Sequence, residues 1–256
     1  MRPIVARVLS DIEHVAHGFF PRVQDDGETP LDFDYRKGDP ALRRQSYAYA
    51  GRFLGIPEKR IYVTNQVHGD GIQLLREMPD ESSVMGTVEN DAVVTDVYGV
   101  ALTVLTADCV PILIADRVRR VVAAVHAGWR GTAFSIARKA VRAMMDAFGS
   151  SPVDLAAAIG PAIGVCCYQV GPEVLRAMRT AFSWADDYIV DEADGHGRLD
   201  LGGINREALV DAGLDRRRVE VVSRCTACDE DLFYSYRRDG DGTGRMLSAI
   251  VLKHRE

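Results

Sequence analysis

Apolar residues along this chain follow two rhythms. Between residues 60 and 126 they form short, dense, β-branched runs: Arg60–Thr64, Ile72–Leu75, Ala92–Thr95, Val100–Thr106, Pro111–Ala115 and Val121–His126. Runs of this length and content predict strands. After residue 132 the period lengthens. Phe134, Ala137, Val141, Met144 and Phe148 fall at spacings of three and four, one stripe of a helix with Thr132 as its N-cap. Val174, Met178 and Phe182 repeat every four residues behind Gly171-Pro172 and predict a second helix. Further helices are expected over Ala41–Leu54, ending at Gly55, and over Asn205–Leu214, with late strands at Arg218–Val222 and Met246–Leu252. Residues 20–40, punctuated by Pro21, Asp25-Asp26-Gly27 and Gly38-Asp39-Pro40, predict a long loop. Strands dominate the first half and helices are interspersed later, so the pattern predicts an α/β fold with a mixed sheet covered by helices, not a strict βαβ repeat. No internal repeat or Pro/Ser-rich linker interrupts it, so residues 1–256 read as a single domain.

Composition changes this picture little. With 47% hydrophobic and 27% charged residues the chain reads as an ordinary soluble domain. A formal charge of −6 gives no electrostatic reason to bind nucleic acid or an anionic membrane. The N-terminus lacks the apolar stretch of a secretion signal, and no run approaches the ~18 residues that span a bilayer. Five cysteines, an odd number, suit a reducing cytoplasm.

Three segments set a soft-metal ligand beside glycine or a tight turn: Gln66-Val67-His68-Gly69, Asp108-Cys109-Val110-Pro111 and His126-Ala127-Gly128-Trp129-Arg130-Gly131-Thr132. Each ligand has a plain alternative: His68 as a solvated loop histidine, Cys109 as a small buried hydrophobe, His126 as a structural group at a strand end. Together, two imidazoles and one thiolate form a set that zinc accepts, leaving the fourth tetrahedral position open as in catalytic sites. The same groups also form a thiolate nucleophile with its base, oriented by Asp91 or Asp108. Gly128, Arg130, Gly131 and Thr132 lie where a strand feeds a helix, a setting suited to phosphate. Arg245, in the loop Gly242-Thr243-Gly244-Arg245, is a second anion candidate. Cys225-Thr226-Ala227-Cys228 lacks the second pair of a zinc ribbon, and it and Cys166-Cys167 read as packing or turn residues. Walker-type, G-x-G-x-x-G and nucleobase-deaminase signatures are absent.

The blocks Thr106-Ala107-Asp108-Cys109-Val110-Pro111 and His126-Ala127-Gly128-Trp129-Arg130-Gly131-Thr132 resemble the laccase-domain family. So do Ile159-Gly160-Pro161, Tyr168-Gln169-Val170-Gly171, Leu199-Asp200-Leu201, Cys225-Thr226 and Tyr234-Ser235-Tyr236-Arg237-Arg238. Members carry the names multicopper polyphenol oxidoreductase, purine nucleoside phosphorylase and peptidoglycan editing factor. The resemblance implies a single α/β domain of layered mixed β-sheets flanked by helices, similar to the catalytic domain of cytotoxic necrotizing factor toxins. It implies that His68, Cys109 and His126 gather into one metal site, usually zinc. It also implies phosphorolysis of adenosine, inosine and methylthioadenosine, with adenosine deamination alongside. Two departures stand out: Val23-Gln24-Asp25-Asp26-Gly27 replaces the family's frequent Gly-Gly-Val-Ser stretch, and Ala162 stands where Cys often follows Gly-Pro.

A multicopper oxidase of the laccase type ligates its coppers through about ten histidines, and this chain has six. Copper at the His/Cys site would therefore be adventitious. The expected function is a zinc-dependent purine nucleoside enzyme, with purine nucleosides and phosphate as its small-molecule partners. The alternative is a Cys/His amidohydrolase that removes a mis-incorporated serine from a UDP-muramyl precursor, with Cys109 as nucleophile and His126 or His68 as base. A structural metal in a binding protein is a third reading.

Overall fold

The computed structural model describes residues 2–80 and 85–253. In chain order the elements are α1 (Arg7–Ser10), β1 (Val15–Phe20), α2 (Pro40–Leu54), β2 (Ile61–Asn65), β3 (Ile72–Leu75), β4 (Met85–Glu89) and β5 (Ala92–Thr95). There follow β6 (Ala101–Thr106), β7 (Val110–Asp116), β8 (Val122–Ala127), α3 (Trp129–Ala133), α4 (Ile136–Phe148) and β9 (Leu155–Ile159). The last are β10 (Gln169–Val170), α5 (Pro172–Ala181), β11 (Ile189–Ala193), β12 (His196–Leu199), α6 (Leu201–Asp211), β13 (Val219–Val221), α7 (Tyr236–Asp239) and β14 (Met246–Leu252).

Two mixed sheets stack face to face. One runs β1-β14-β6-β2-β4 and the other β13-β9-β7-β8-β5-β3, while β10-β12-β11 forms a small third sheet. Alternation along the strands divides the core in three. Leu102, Val104 and Ile250 of the first sheet meet Val93, Leu113, Val122 and Ala124 of the second between the sheets. Ala101, Leu105 and Leu247 face outward onto Tyr47, Ala50 and Leu54 of α2. Ile112, Ile114, Ala123 and Val125 face the other way, onto Ile136, Val141 and Met144 of α4 and Ile204 of α6. The central strands β6, β7 and β8 are thus covered on both faces, which is why they read as continuous apolar runs without polar alternation, whereas the edge strands β3 and β4 are largely exposed or half-buried.

The layered mixed-sheet fold agrees with the sequence expectation, with local corrections. The predicted helix from Thr132 breaks in two: Thr132 lies inside the short α3, and α4 is capped by Ser135 in the left-handed region, φ 59°. Phe134, at the break, is 52% exposed and leaves the stripe. The expected Asn205–Leu214 helix begins earlier, because Asp200 accepts the Gly203 N–H as an N-cap, 2.8 Å. The expected 20–40 loop is confined to residues 21–39, between β1 and α2, yet Leu31 and Phe33 within it are fully buried against the α2 face. Strand β9, Leu-Ala-Ala-Ala-Ile, was not anticipated from the pattern. Alanine carries little strand signal, and only pairing to β7 and β13 makes it one. Among the described residues no helix is long and apolar enough to cross a membrane.

Candidate metal and ligand site

Sheet register brings the site together. Strand β5 pairs with β8 so that Ala92 faces Val125, which sets Asp91, one residue earlier, against His126. The His126 N–H donates to the Asp91 carbonyl at 2.7 Å. Strand β7 pairs with β8 so that Pro111 faces His126 and Val110 faces Ala127, leaving Cys109 beside Gly128. His126 and Cys109 sit on the face turned toward the partner sheet, where the inter-sheet core opens out.

His68 arrives from the other sheet. Gln66 ends the β2–β6 pairing with its side chain, whose Nε2 donates to the Leu105 carbonyl at 2.8 Å while Oε1 accepts the Leu105 N–H at 2.7 Å. This substitute pairing frees the backbone to turn across the gap. The turn is held by the fully buried Asp91 carboxylate, which accepts the N–H groups of Val67 at 3.3 Å, His68 at 3.0 Å and Gly69 at 2.7 Å. His68 there adopts φ 58°, a sparsely populated conformation for a side-chain-bearing residue. The same carboxylate meets His126 Nδ1 at 2.7 Å. Asp91 therefore fixes one histidine by its backbone and orients the other by its ring.

Ligating atoms of His68, Cys109 and His126 all lie within 4.8 Å of one another. The two imidazoles stand edge to face, with centroids 4.9 Å apart. Gly128 makes this approach possible, since a Cβ there would lie 3.2 Å from His68 Cδ2 and 3.3 Å from Cys109 Sγ. Burial would push the Cys109 thiol up, but His126 and His68 outweigh it and bring it down to about 6. Burial would lower His126, but Cys109 and Asp91 outweigh it and raise His126 to about 9. Burial would likewise raise Asp91, but its bonds to His126 and the backbone hold it below the ordinary carboxylate range.

The trio lies in the wall of a cavity of about 900 Å³, a size suited to a small-molecule ligand. Arg130 lines it with its guanidinium stacked 4.2 Å above the Trp129 ring. Arg245 lines it as well, its Nη1 donating to the Thr243 and Gly244 carbonyls at 3.0 Å each. Gly131 and Thr132 lie elsewhere. Both are buried, a Cβ on Gly131 would meet the Gly69 carbonyl at 2.9 Å, and Thr132 Oγ1 accepts from Asn205 at 2.9 Å, tying α3 to α6. Arg36, Arg237, Tyr35 and Tyr168, all on the cavity wall, were not singled out as ligand contacts from the sequence. Asp108 is committed elsewhere: its carboxylate accepts from Thr226 Oγ1 at 2.6 Å, Ser235 Oγ at 3.0 Å and the Arg237 N–H at 2.6 Å. It braces the C-terminal segment against the site, and Asp91 is the carboxylate that orients a histidine.

Residues 29–253 match the family model described as multi-copper polyphenol oxidoreductase laccase. The chain belongs to this family. It is 37% identical over 245 residues to a purine nucleoside phosphorylase of Deinococcus radiodurans, covering 94% of this chain and 91% of that one. To adenosine deaminase RL5 of an unknown prokaryotic organism it is 33% identical over 225 residues, 84% of each chain. Among solved structures, the hypothetical protein YfiH of Bacillus licheniformis superposes with a TM-score of 0.85 at 33% identity, over 93% of each chain. YlmD of Geobacillus stearothermophilus gives 0.85 at 31%, over 97% of this chain and 94% of that one.

Proposed function

We propose that this chain is a zinc-dependent enzyme of purine nucleosides. It cleaves adenosine, inosine and methylthioadenosine with phosphate to the free base and the pentose 1-phosphate, and it deaminates adenosine as a side activity. The observation that carries this reading is a three-donor N/S cluster in the wall of a cavity of about 900 Å³ bordered by arginines, roomy enough for a nucleoside and phosphate together. The relatives named for phosphorolysis and deamination support it.

The donor set fits zinc: two imidazoles and one low-pKa thiol converge, and the Asp91–His126 contact is the outer carboxylate that metal-binding histidines commonly have. His68, Cys109 and His126 would hold the ion, which when bound supplies Lewis acidity at its open position. Copper would compete for the same donors on affinity, adventitiously in our reading. The Asp91 carboxylate accepts from His126 Nδ1, which fixes the ring proton there and leaves the Nε2 lone pair to serve as the ligand. In phosphorolysis a phosphate oxygen bonds to C1′ as the C1′–N9 bond breaks, and its electron pair leaves with the base, which takes up a proton. Arg130 and Arg245 are the groups we assign to neutralising that phosphate. Deamination instead adds water at C6 and releases ammonia, and needs no anion site. Unpaired cysteines suit a cytoplasmic setting for this chemistry.

A second reading is favoured by one specific observation, the Cys109–His126–Asp91 relay with its depressed thiol and raised imidazole. In it the Cys109 thiolate attacks an amide carbon of a muramyl precursor and His126 protonates the departing amine. Chromatography of adenosine incubated with zinc-loaded protein, with and without phosphate, separates the two. Adenine formed only with phosphate supports phosphorolysis, and inosine formed regardless supports deamination. In Cys109→Ser, zinc content and both products should fall together. Untouched adenosine under both conditions refutes the purine reading, and a muramyl amide opened by metal-free protein would establish the second.

A further inference from the structure

The cysteines expected to be packing residues are not scattered. Cys166 and Cys167, in the loop after β9, meet Cys225 and Cys228, in the turn after β13, with all four sulfurs within 4.8 Å of one another. Cys228 Sγ lies 3.5 Å from Cys166 Sγ and 3.3 Å from Cys167 Sγ. None of the four lines the cavity beside His68, Cys109 and His126. Backbone pairing unrelated to sulfur aligns the two segments: Ala162 bridges Cys225 in parallel sense, and the Thr226 N–H donates to the Ala162 carbonyl at 3.0 Å.

We propose that these four thiolates hold a single zinc ion in closed tetrahedral coordination, a second metal site distinct from the His68–Cys109–His126 cluster. Zinc–sulfur bonds of about 2.3 Å set neighbouring sulfurs of a tetrahedron about 3.8 Å apart; the two contacts of Cys228 are 0.3–0.5 Å shorter than that, and all four sulfurs lie within 4.8 Å, close enough for one ion to reach each of them. A polynuclear iron–sulfur cluster would spread its cysteine sulfurs farther, because several irons and bridging sulfides stand between them. The C-x-x-C turn is built to receive a charged sulfur: Cys225 Sγ accepts the Gly164 N–H at 3.2 Å, and the N–H groups of Cys228 and Ala227 also turn toward it. One guanidinium, that of Arg237, stands beside the cluster to temper its negative charge, while that of Arg238 is paired with Asp239 and braces the C-x-x-C turn through its carbonyls. Arg237 Nη1 donates to the Cys167 carbonyl at 3.1 Å, and Arg238 Nη1 to the Thr226 and Ala227 carbonyls at 3.1 and 3.3 Å. Cys166 and Cys228 are exposed, so burial of apolar sulfur does not account for the gathering.

Four protein ligands leave no open position, so the ion is structural. It clips together two segments that both hold Asp108, through the Ile163 N–H to the Asp108 carbonyl at 2.9 Å and Thr226 Oγ1 to its carboxylate. Since Asp108 precedes Cys109, the clip braces the first site from behind.

The test compares wild type with Cys225→Ser/Cys228→Ser, both purified under reducing conditions, by zinc content per chain. Wild type should exceed the double variant by at least one zinc, and by a second where loss of the clip also loosens the first site. Cobalt(II) titration of Cys109→Ser supplies a readout that does not require the double variant to fold. Intense thiolate-to-cobalt charge transfer with tetrahedral ligand-field bands is expected there. Equal zinc content in wild type and the double variant, or a cobalt spectrum without thiolate charge transfer, overturns the proposal. So does iron in place of zinc at this site, or a disulfide between Cys228 and Cys166 or Cys167 in the native protein, seen as loss of one hydrogen pair in intact mass.

Discussion

Replacing Asp91 by Asn tests the central claim that one buried carboxylate assembles the metal site. The carboxylate accepts four groups, three of them at 3.0 Å or less: the His68 and Gly69 N–H groups and His126 Nδ1. An amide of the same shape has one acceptor oxygen, and its amino group must face a donor. Hydrogen bonds to a charged group are each worth about 1.5–3 kcal/mol, and breaking a buried charged pair costs about 3–5 kcal/mol. We expect a loss in that second range. For a chain of this size about 2–4 °C of Tm accompanies each kcal/mol, so the melting temperature of the metal-free protein should fall by roughly 6–20 °C. Zinc affinity, measured by chelator competition below the lowered Tm, should fall about 10–100-fold. The sign of the pH dependence follows from the depressed Asp91 pKa. Its contribution is full at neutral pH and is lost as pH falls through the ordinary carboxylate range toward the lower folded value. The variant should therefore lose less stability over that acid window than wild type. Unchanged Tm together with unchanged zinc affinity would refute the assembly role.

Three further outcomes follow from the same geometry. In metal-free protein, alkylation of Cys109 followed by peptide mapping should show a midpoint near 6, because the protonated thiol is unreactive below it; a midpoint near that of an ordinary thiol would remove the imidazole–thiolate coupling. Gly128→Ala should lower zinc affinity about tenfold, or ~1.4 kcal/mol, with little change in Tm. Its φ of −71° suits alanine, and the new Cβ presses only on His68 and Cys109. Arg130→Ala should raise KM for phosphate about tenfold through loss of a charge-assisted contact and leave adenosine deamination untouched; an equal loss in both reactions would place Arg130 in general cavity structure.

Much of the fold was legible because the central strands of both sheets are buried on both faces, and that burial writes itself into the sequence as dense apolar runs such as Ala101–Thr106, Val110–Asp116 and Val122–Ala127; the exposed edge strand β4 left no such run. The two-part helix at Thr132–Ser135 was not legible, since the apolar spacing continues across the break while the backbone reverses at Ser135. His68, Cys109 and His126 were visible as ligand types, and their grouping came from resemblance, since separations of this length carry no local metal motif.

The sequence by itself determined which residues can carry soft-metal chemistry, where the most apolar strands run and how the helical stripes face, because these depend on side-chain type and local period; β1, β4, β9 and the small β10-β12-β11 sheet were not among them. Tertiary structure alone decided which carboxylate serves the site. Asp91 and Asp108 are equally acidic on paper, but the β5–β8 register puts Asp91 against His126, while Asp108 turns to Thr226 and Ser235. It also decided that Gly131 and Thr132 lie away from the cavity and that Cys166-Cys167 is the missing partner of Cys225 and Cys228. Those are facts of long-range pairing, fixed by sheet register and loop path, and no local period in the chain encodes them.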